Sequence, residues 1–321
     1  MSRLLDEKNY EHLMRTVVEP GLEAMREEID LPLDGGGTLH AEVYNRYDAK
    51  GAVVIVHGYT ESAEKFRELA WYLLQEGYSV FAADHRGHGR SVRALEDTSV
   101  THVDDFDDYL RDLEQFMDRV VKPRMGGAPL YLYAHSMGGA VGGLALMEHP
   151  DWFERAVLNA PMVAAVTKPL PGFLAEVMAK AFCAAGKGKT RAFVGKPFDP
   201  ANEPFETSHA TSRARYDYYE SKRIAHPYLQ NCSPTYQWLR EALGVTKRLY
   251  AGAEKIKTPV LLCQAGLDSI VKLPPQDKFV SLTPGAKLVR FEGKHELYCA
   301  HNELLEGYID TVLRFYRGEE V

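Results

Sequence analysis

The stretch Tyr131-Leu-Tyr-Ala-His-Ser136-Met-Gly138-Gly139 constrains this chain more than any other. An aromatic and aliphatic run, the form of a buried strand, stops at a serine, and small residues follow at once. That is the form of a nucleophile elbow, a sharp strand-to-helix turn that holds one hydroxyl at its apex. Gly138 falls where a Cβ would collide with neighbouring backbone in so tight a turn. Gly139, Ala140, Gly142, Gly143 and Ala145 keep the following helix thin enough to lie close to a sheet. The usual pattern is Gly-x-Ser-x-Gly; Ala134 replaces the first glycine and adds one methyl. A structural serine ahead of a glycine-rich helix has the same form, so the motif alone leaves both readings open.

The rest of the chain weighs between them. A serine hydroxyl needs a base, and the base needs an orienting acid. Pro259–Gly266 reads as a buried strand followed by Leu267-Asp268-Ser269, and Ala286–Gly293 as another followed by Lys294-His295-Glu296. Each candidate sits just past a strand, where loops of a parallel sheet gather around a site. Taken singly, Asp268 reads as a turn or cap residue, and His295 as one loop histidine of twelve. Neither reading accounts for serine, aspartate and histidine in that order, each after its own strand. Asp277, Glu292 and Glu296 compete for the acid role but fit a helix, a strand and a loop beside the base. The strand Ala156–Ala160 carries Asn159 near its end and offers no carboxylate. Ser136, His295 and Asp268 are therefore the expected nucleophile, base and acid. The β-branched run Ala52–Val56 ends in His57-Gly58-Tyr59-Thr60, so the oxyanion donors are expected to be the backbone N–H groups of Tyr59 and Met137. His57, Gly58 and His135 are read as loop-bracing residues.

Strand and helix patterns alternate from the run at Ala52 to the closing helix around Leu304–Tyr316, which implies a mostly parallel, doubly wound α/β sheet. Residues 1–36 read as an N-terminal helical segment, 37–161 and 253–321 as the core, and 162–252 as an inserted helical cap, or lid. The cap contains the apolar run Leu170–Cys183 and many tyrosines, so the cavity above Ser136 is expected to be greasy. Arg213, Arg215, Lys222 and Arg223 are expected to be solvated.

Several function classes fall away. A net charge of −7 and a pI near 6.0 argue against nucleic acid as a partner. The early acids of Met1–Asn9 do not suit a signal peptide. No run approaches the roughly 18–20 apolar residues of a membrane span. Cys183, Cys232, Cys263 and Cys299 have no metal or disulfide spacing, and a reducing cytoplasm is the expected compartment. Arg86-Gly-His-Gly-Arg-Ser91 lacks the Walker A ending and is expected to shape a pocket wall. His295-Glu296 has its next histidine at His301, the wrong spacing for a zinc pair. No cofactor and no metal is expected.

Together, His57-Gly58, Asp84–Ser91, Ala134–Gly139, Asn159–Met162, Gly266-Leu-Asp268 and His295 resemble the serine-hydrolase branch that holds monoacylglycerol lipases and bacterial lysophospholipases. The resemblance runs from about residue 38 to 317. It implies an α/β-hydrolase fold with a helical cap, and release of a fatty acid from a lysophospholipid or monoacylglycerol. Peripheral membrane contact and the oligomeric state are left open. The alternatives are an amino- or iminopeptidase, for which Asp217, Glu220 or Glu241 would hold a substrate amine, and a short-chain esterase. A non-enzymatic binding module has the three triad residues against it.

Overall fold

The computed structural model describes residues 4–199 and 204–321; the first three residues of the expected N-terminal segment and four of the expected cap lie outside them. The strands are β1 Arg26–Pro32, β2 Thr38–Tyr44, β3 Ala52–Val56, β4 Ser79–Ala83, β5 Val100–Thr101, β6 Leu130–His135, β7 Arg155–Asn159, β8 Ser233–Pro234, β9 Val260–Ala265 and β10 Lys287–Phe291. Eight form one sheet in the order β1-β2-β4-β3-β6-β7-β9-β10, while β5 and β8 make a small parallel pair. From β4 to β10 the large sheet is parallel; β2 runs antiparallel to β4 and to β1.

Side chains alternate across the central strands with period two. Val54, Val56, Leu132, Ala134 and Leu158 enter one core cluster. Val53, Ile55, Tyr133, Val157, Leu261 and Cys263 enter the other. Every residue of β3, β6 and β9 is buried, as expected of a parallel sheet covered by helices on both faces.

Two boundaries differ from expectation. Arg26–Pro32, read as part of a helical segment, is a strand that pairs Ile29 with Ala41 and Leu31 with Leu39. The boundary at residue 36 therefore falls inside a hairpin, whose turn uses Gly36 at φ 87° and Gly37 at φ 80°. Helical turns do span Glu7–Glu23, where Tyr10, Met14, Val18 and Leu22 repeat every four residues and bury one face. The second difference is the helix Tyr236–Gly252, placed within the cap by sequence. Its Trp238, Ala242, Val245 and Leu249 join the same core cluster as β3 and β6.

The cap helix Arg213–Ala225 is tied to the core by buried charge. Arg215 is only 2% exposed. Its Nε and Nη2 donate to Glu68, its Nη1 to the Ala300 carbonyl, and its Nη2 also to Asn302. Tyr10 and Tyr72 donate to the same Glu68 carboxylate. Arg223 is also buried and pairs with Glu220 at 2.7 Å, while Lys222 pairs with Glu64 at 3.0 Å. Of the four basic residues expected in solvent, Arg213 alone is exposed; Arg215 and Lys222 found carboxylates far away in sequence, and Arg223 one three positions back on its own helix.

Arg215→Met should destabilise the fold by about 3–5 kcal/mol, because Glu68 is left buried without its counter-charge. A denaturant melt measures this, and a loss under 1 kcal/mol would show that the hub is dispensable. Glu42 gives an acid-side expectation. Burial raises its carboxyl, but Arg67, Tyr44 and Arg26 outweigh that and hold it below the usual range. Its stabilisation is complete above pH ~4.3 and is lost as pH falls through the lower folded-state value. Glu42→Gln should flatten that limb of a stability–pH curve.

Candidate active site

Strand β6 ends in a backbone conformation that few side chains tolerate: Ser136 has φ 52° and ψ −116°. The turn is held on both sides. Ser136 N–H donates to the Asn159 carbonyl at 3.0 Å, and Met162 N–H donates to the Ser136 carbonyl at 2.7 Å. A Cβ on Gly138 would lie 2.1 Å from the Val56 carbonyl oxygen and 2.4 Å from that of His57, so only glycine fits. Thr60 at φ 63° and Ala160 at φ 42° are the other non-glycine residues with positive φ among those described, and both flank this turn in space. Such strain gathers where a fold over-determines a site.

The structure brings the three candidate residues together from the ends of β6, β9 and β10. The Ser136 hydroxyl lies 2.8 Å from His295 Nε2, and His295 Nδ1 lies 2.6 Å from Asp268 Oδ2. Asp268 Oδ1 accepts the N–H groups of Ile270 and Val271 at 2.7 and 3.0 Å. Burial pushes this carboxyl up, but the bond to His295 and the two amides outweigh it and hold it below the usual aspartate value. The competitors are occupied elsewhere: Asp277 meets Gln264 at 3.1 Å, and Glu296 meets Lys65 at 2.6 Å.

Of the two expected oxyanion donors, Met137 directly follows Ser136 and Tyr59 lines the same cavity. Among the described residues the Tyr59 and Met137 amides make no hydrogen bond, Met137 being the first residue of its helix. Their loop is fastened by a residue that sequence reading missed. Glu61 Oε2 accepts Gly58 N–H at 2.6 Å, and its other oxygen meets Tyr298 and, at 3.2 Å, Lys65. A Cβ on Gly58 would lie 2.7 Å from Glu61, which accounts for the His-Gly pair. His57 bonds the Gly58 carbonyl through Nδ1 at 2.7 Å and accepts His85 N–H through Nε2 at 2.8 Å. Burial lowers its pKa, so it stays neutral. His135 meets the Asn159 side chain at 2.9 Å, and its pKa too is depressed, by burial and then by His295.

The loop Asp84–Ser91 braces from behind. Asp84 accepts Ala63 N–H at 2.7 Å and Arg90 N–H at 2.8 Å, and Gly89 at φ 48° leaves room where a Cβ would overlap that carboxylate. Contrary to expectation, none of its described residues lines the cavity over Ser136.

That cavity measures about 470 Å³ and lies between the core and the cap. Its wall is mixed rather than uniformly greasy: Val194, Tyr216, Tyr219 and Ile270 share it with two buried ion networks, one of Glu61, Lys65 and Glu296 and another of Glu220 and Arg223. Burial opposes the Lys65 charge, but Glu296 and Glu61 hold its pKa well above the usual value. The apolar cap run points elsewhere: Phe173 is 67% exposed and Val177 61%. Glu61 and Lys65, four apart just after β3, were a legible pair; Glu296 was noticed only as a competitor acid. Among the described residues Glu28, His40 and Glu42 also come together, yet Arg26, Arg67, Arg90 and Asp30 already engage them.

Comparison with known proteins agrees with this architecture. The family described as Hydrolase_4 (serine aminopeptidase, S33) matches residues 47–299. Lysophospholipase L2 of Escherichia coli K12 is 36% identical over 244 residues, 73% of this chain and 68% of that protein. Human monoglyceride lipase is 37% identical over 116 residues, 36% of each chain. A soluble variant of monoglyceride lipase from Saccharomyces cerevisiae, solved with a substrate analogue, superposes with a TM-score of 0.73 at 17% identity, over 92% of this chain and 95% of that one.

A fluorophosphonate probe should label wild-type protein and fail on a folded Ser136→Ala variant. Asp268→Ala should slow labelling by orders of magnitude, and equal rates would remove that residue from the site. Glu61→Ala should lower kcat toward the roughly 10²–10³ cost of losing one oxyanion donor, with KM less affected.

Proposed function

The chain belongs to the Hydrolase_4 family (serine aminopeptidase, S33), and from that premise we propose that it is a serine ester hydrolase releasing a fatty acid from a lysophospholipid or monoacylglycerol. The observation that carries the reading is the run of bonds from Ser136 through His295 to Asp268, at 2.8 and 2.6 Å, at the floor of a capped cavity. The similarity to a lysophospholipase over most of both chains supports the substrate class.

In this reading Ser136 attacks the ester carbonyl while His295 Nε2 takes its proton. Asp268 accepts Nδ1–H, which leaves Nε2 as the basic nitrogen and stabilises the imidazolium once formed. The Tyr59 and Met137 amides hold the oxyanion. His295 returns the proton to the glycerol oxygen, then activates water, which attacks the acyl-enzyme. The mixed wall around the cavity and its opening suits both a hydroxylated or zwitterionic leaving group and, at Val194 and Ile270, an acyl chain.

That opening also favours peripheral membrane contact. The chain entering the helix Gly172–Ala184 is bonded to the acid loop through Val166 N–H on the Ile270 carbonyl, and the helix exposes Phe173, Leu174 and Val177. No described helix is long and apolar enough to cross a membrane. Amine recognition has less support. Asp217 and Glu241 are bound to Arg213 and Arg240. Glu220, which does line the cavity, is bound to Arg223.

The test is fatty-acid release from lysophosphatidylcholine and from monoacylglycerol of equal chain length, with wild type and Ser136→Ala. Release from at least one, absent in the variant, is expected, and the faster substrate assigns the head group. Release from neither, while proline arylamides are cleaved, would transfer the reading to a peptidase.

A further inference from the structure

His209 belongs to the cap, yet it stands beside the expected catalytic base. Its ring lies edge-on to that of His295, with centroids 6.4 Å apart, and lines the cavity that holds Ser136. The placement is built by backbone bonds on either side. The His209 carbonyl accepts Glu296 N–H at 3.0 Å, Lys294 Nζ donates to the Ser208 carbonyl at 3.0 Å, and Ser212 N–H donates to the Cys299 carbonyl at 3.1 Å. The ring nitrogens themselves make no hydrogen bond among the described residues, whereas the charged groups nearby, Lys65 and Glu296, are bonded to each other. Burial, with His295 nearby, lowers the ring's pKa and keeps it neutral, so it carries one N–H donor and one lone pair.

A group of this kind matches a hydroxyl, which also donates and accepts. The location says which hydroxyl. His295 Nε2 must return its proton to the leaving oxygen, so the leaving group extends on the histidine side of the cavity. In a 1-acyl lysophospholipid or monoacylglycerol, the carbon next to the one bearing that oxygen carries a free hydroxyl.

We propose that His209 is a specificity-determining residue whose imidazole hydrogen-bonds the hydroxyl vicinal to the scissile ester in the glycerol leaving group. The inference rests on the acyl-glycerol reading above. A packing role, in which His209 only steadies the His295 ring, would affect all esters alike; recognition affects only those with the hydroxyl.

The experiment compares kcat/KM for a 1-monoacylglycerol with that for the monoester of 1,3-propanediol carrying the same acyl chain, which lacks the vicinal hydroxyl. Wild type should prefer the glycerol ester, and His209→Ala should reduce that preference about three- to tenfold, the usual reach of one hydrogen bond. His209→Gln, which keeps a donor and an acceptor at similar reach, should recover part of it. An unchanged ratio in folded His209→Ala, equal loss on both esters, or a wild type without preference would overturn the role of His209 and leave the substrate reading standing. A wild type that is labelled at Ser136 but cleaves neither ester nor lysophosphatidylcholine would overturn the substrate reading, and this inference with it.

Discussion

The contact between Gly138 and the carbonyls of Val56 and His57 sets the geometry of everything above the sheet. With no Cβ to hold them apart, the helix Met137–Glu148 presses its first turn against the end of β3. At the same turn Ser136 is held at positive φ at the edge where β6 stops. The strain is opposed by the bonds through Asn159 and Met162 and by a fully buried sheet beneath. A hydroxyl held this way needs no rearrangement to meet His295, which is the condition for electrostatic catalysis by preorganised groups.

Around this rigid centre the cap is fastened by charge more than by apolar packing. Arg215 on Glu68 links the cap helix to the N-terminal segment through Tyr10 and to the C-terminal part through Asn302. Lys65 joins Glu61 on the oxyanion loop to Glu296 beside the base. Buried pairs of this kind contribute modestly to stability but are costly to break, so they favour one arrangement of cap and core over its neighbours. They also bring charge into a cavity wall that Val194, Tyr216 and Tyr219 of the cap share.

The central strands were readable because burial on both faces demands continuous apolar runs, as in Ala52–Val56 and Val260–Ala265. The order serine, aspartate, histidine was readable because each residue follows its own strand. Other features were not. Arg26–Pro32 carries many charges, and its strand character comes from pairing with β2 at the sheet edge. Arg215 and Lys222 look like surface residues until Glu68, 147 positions away in sequence, and Glu64 are seen beside them. His209 had no local signal at all, since its neighbours along the chain say nothing of His295.

The amino-acid sequence by itself determined the alternation of strands and helices, the elbow at Ser136 and the identity of the two residues expected to act with it. These depend on local periodicity and on turns that only small residues allow, and both are written in consecutive positions. Tertiary structure alone decided that buried ion pairs enter the cavity wall, that Glu61 and Lys65 fasten the loop after β3, that the helix Tyr236–Gly252 belongs to the core, and that a cap histidine faces His295. The physical reason is that a charged side chain has no preferred environment of its own. Solvent and a buried counter-charge both satisfy it, and the choice is made by segments that meet only once the chain has folded.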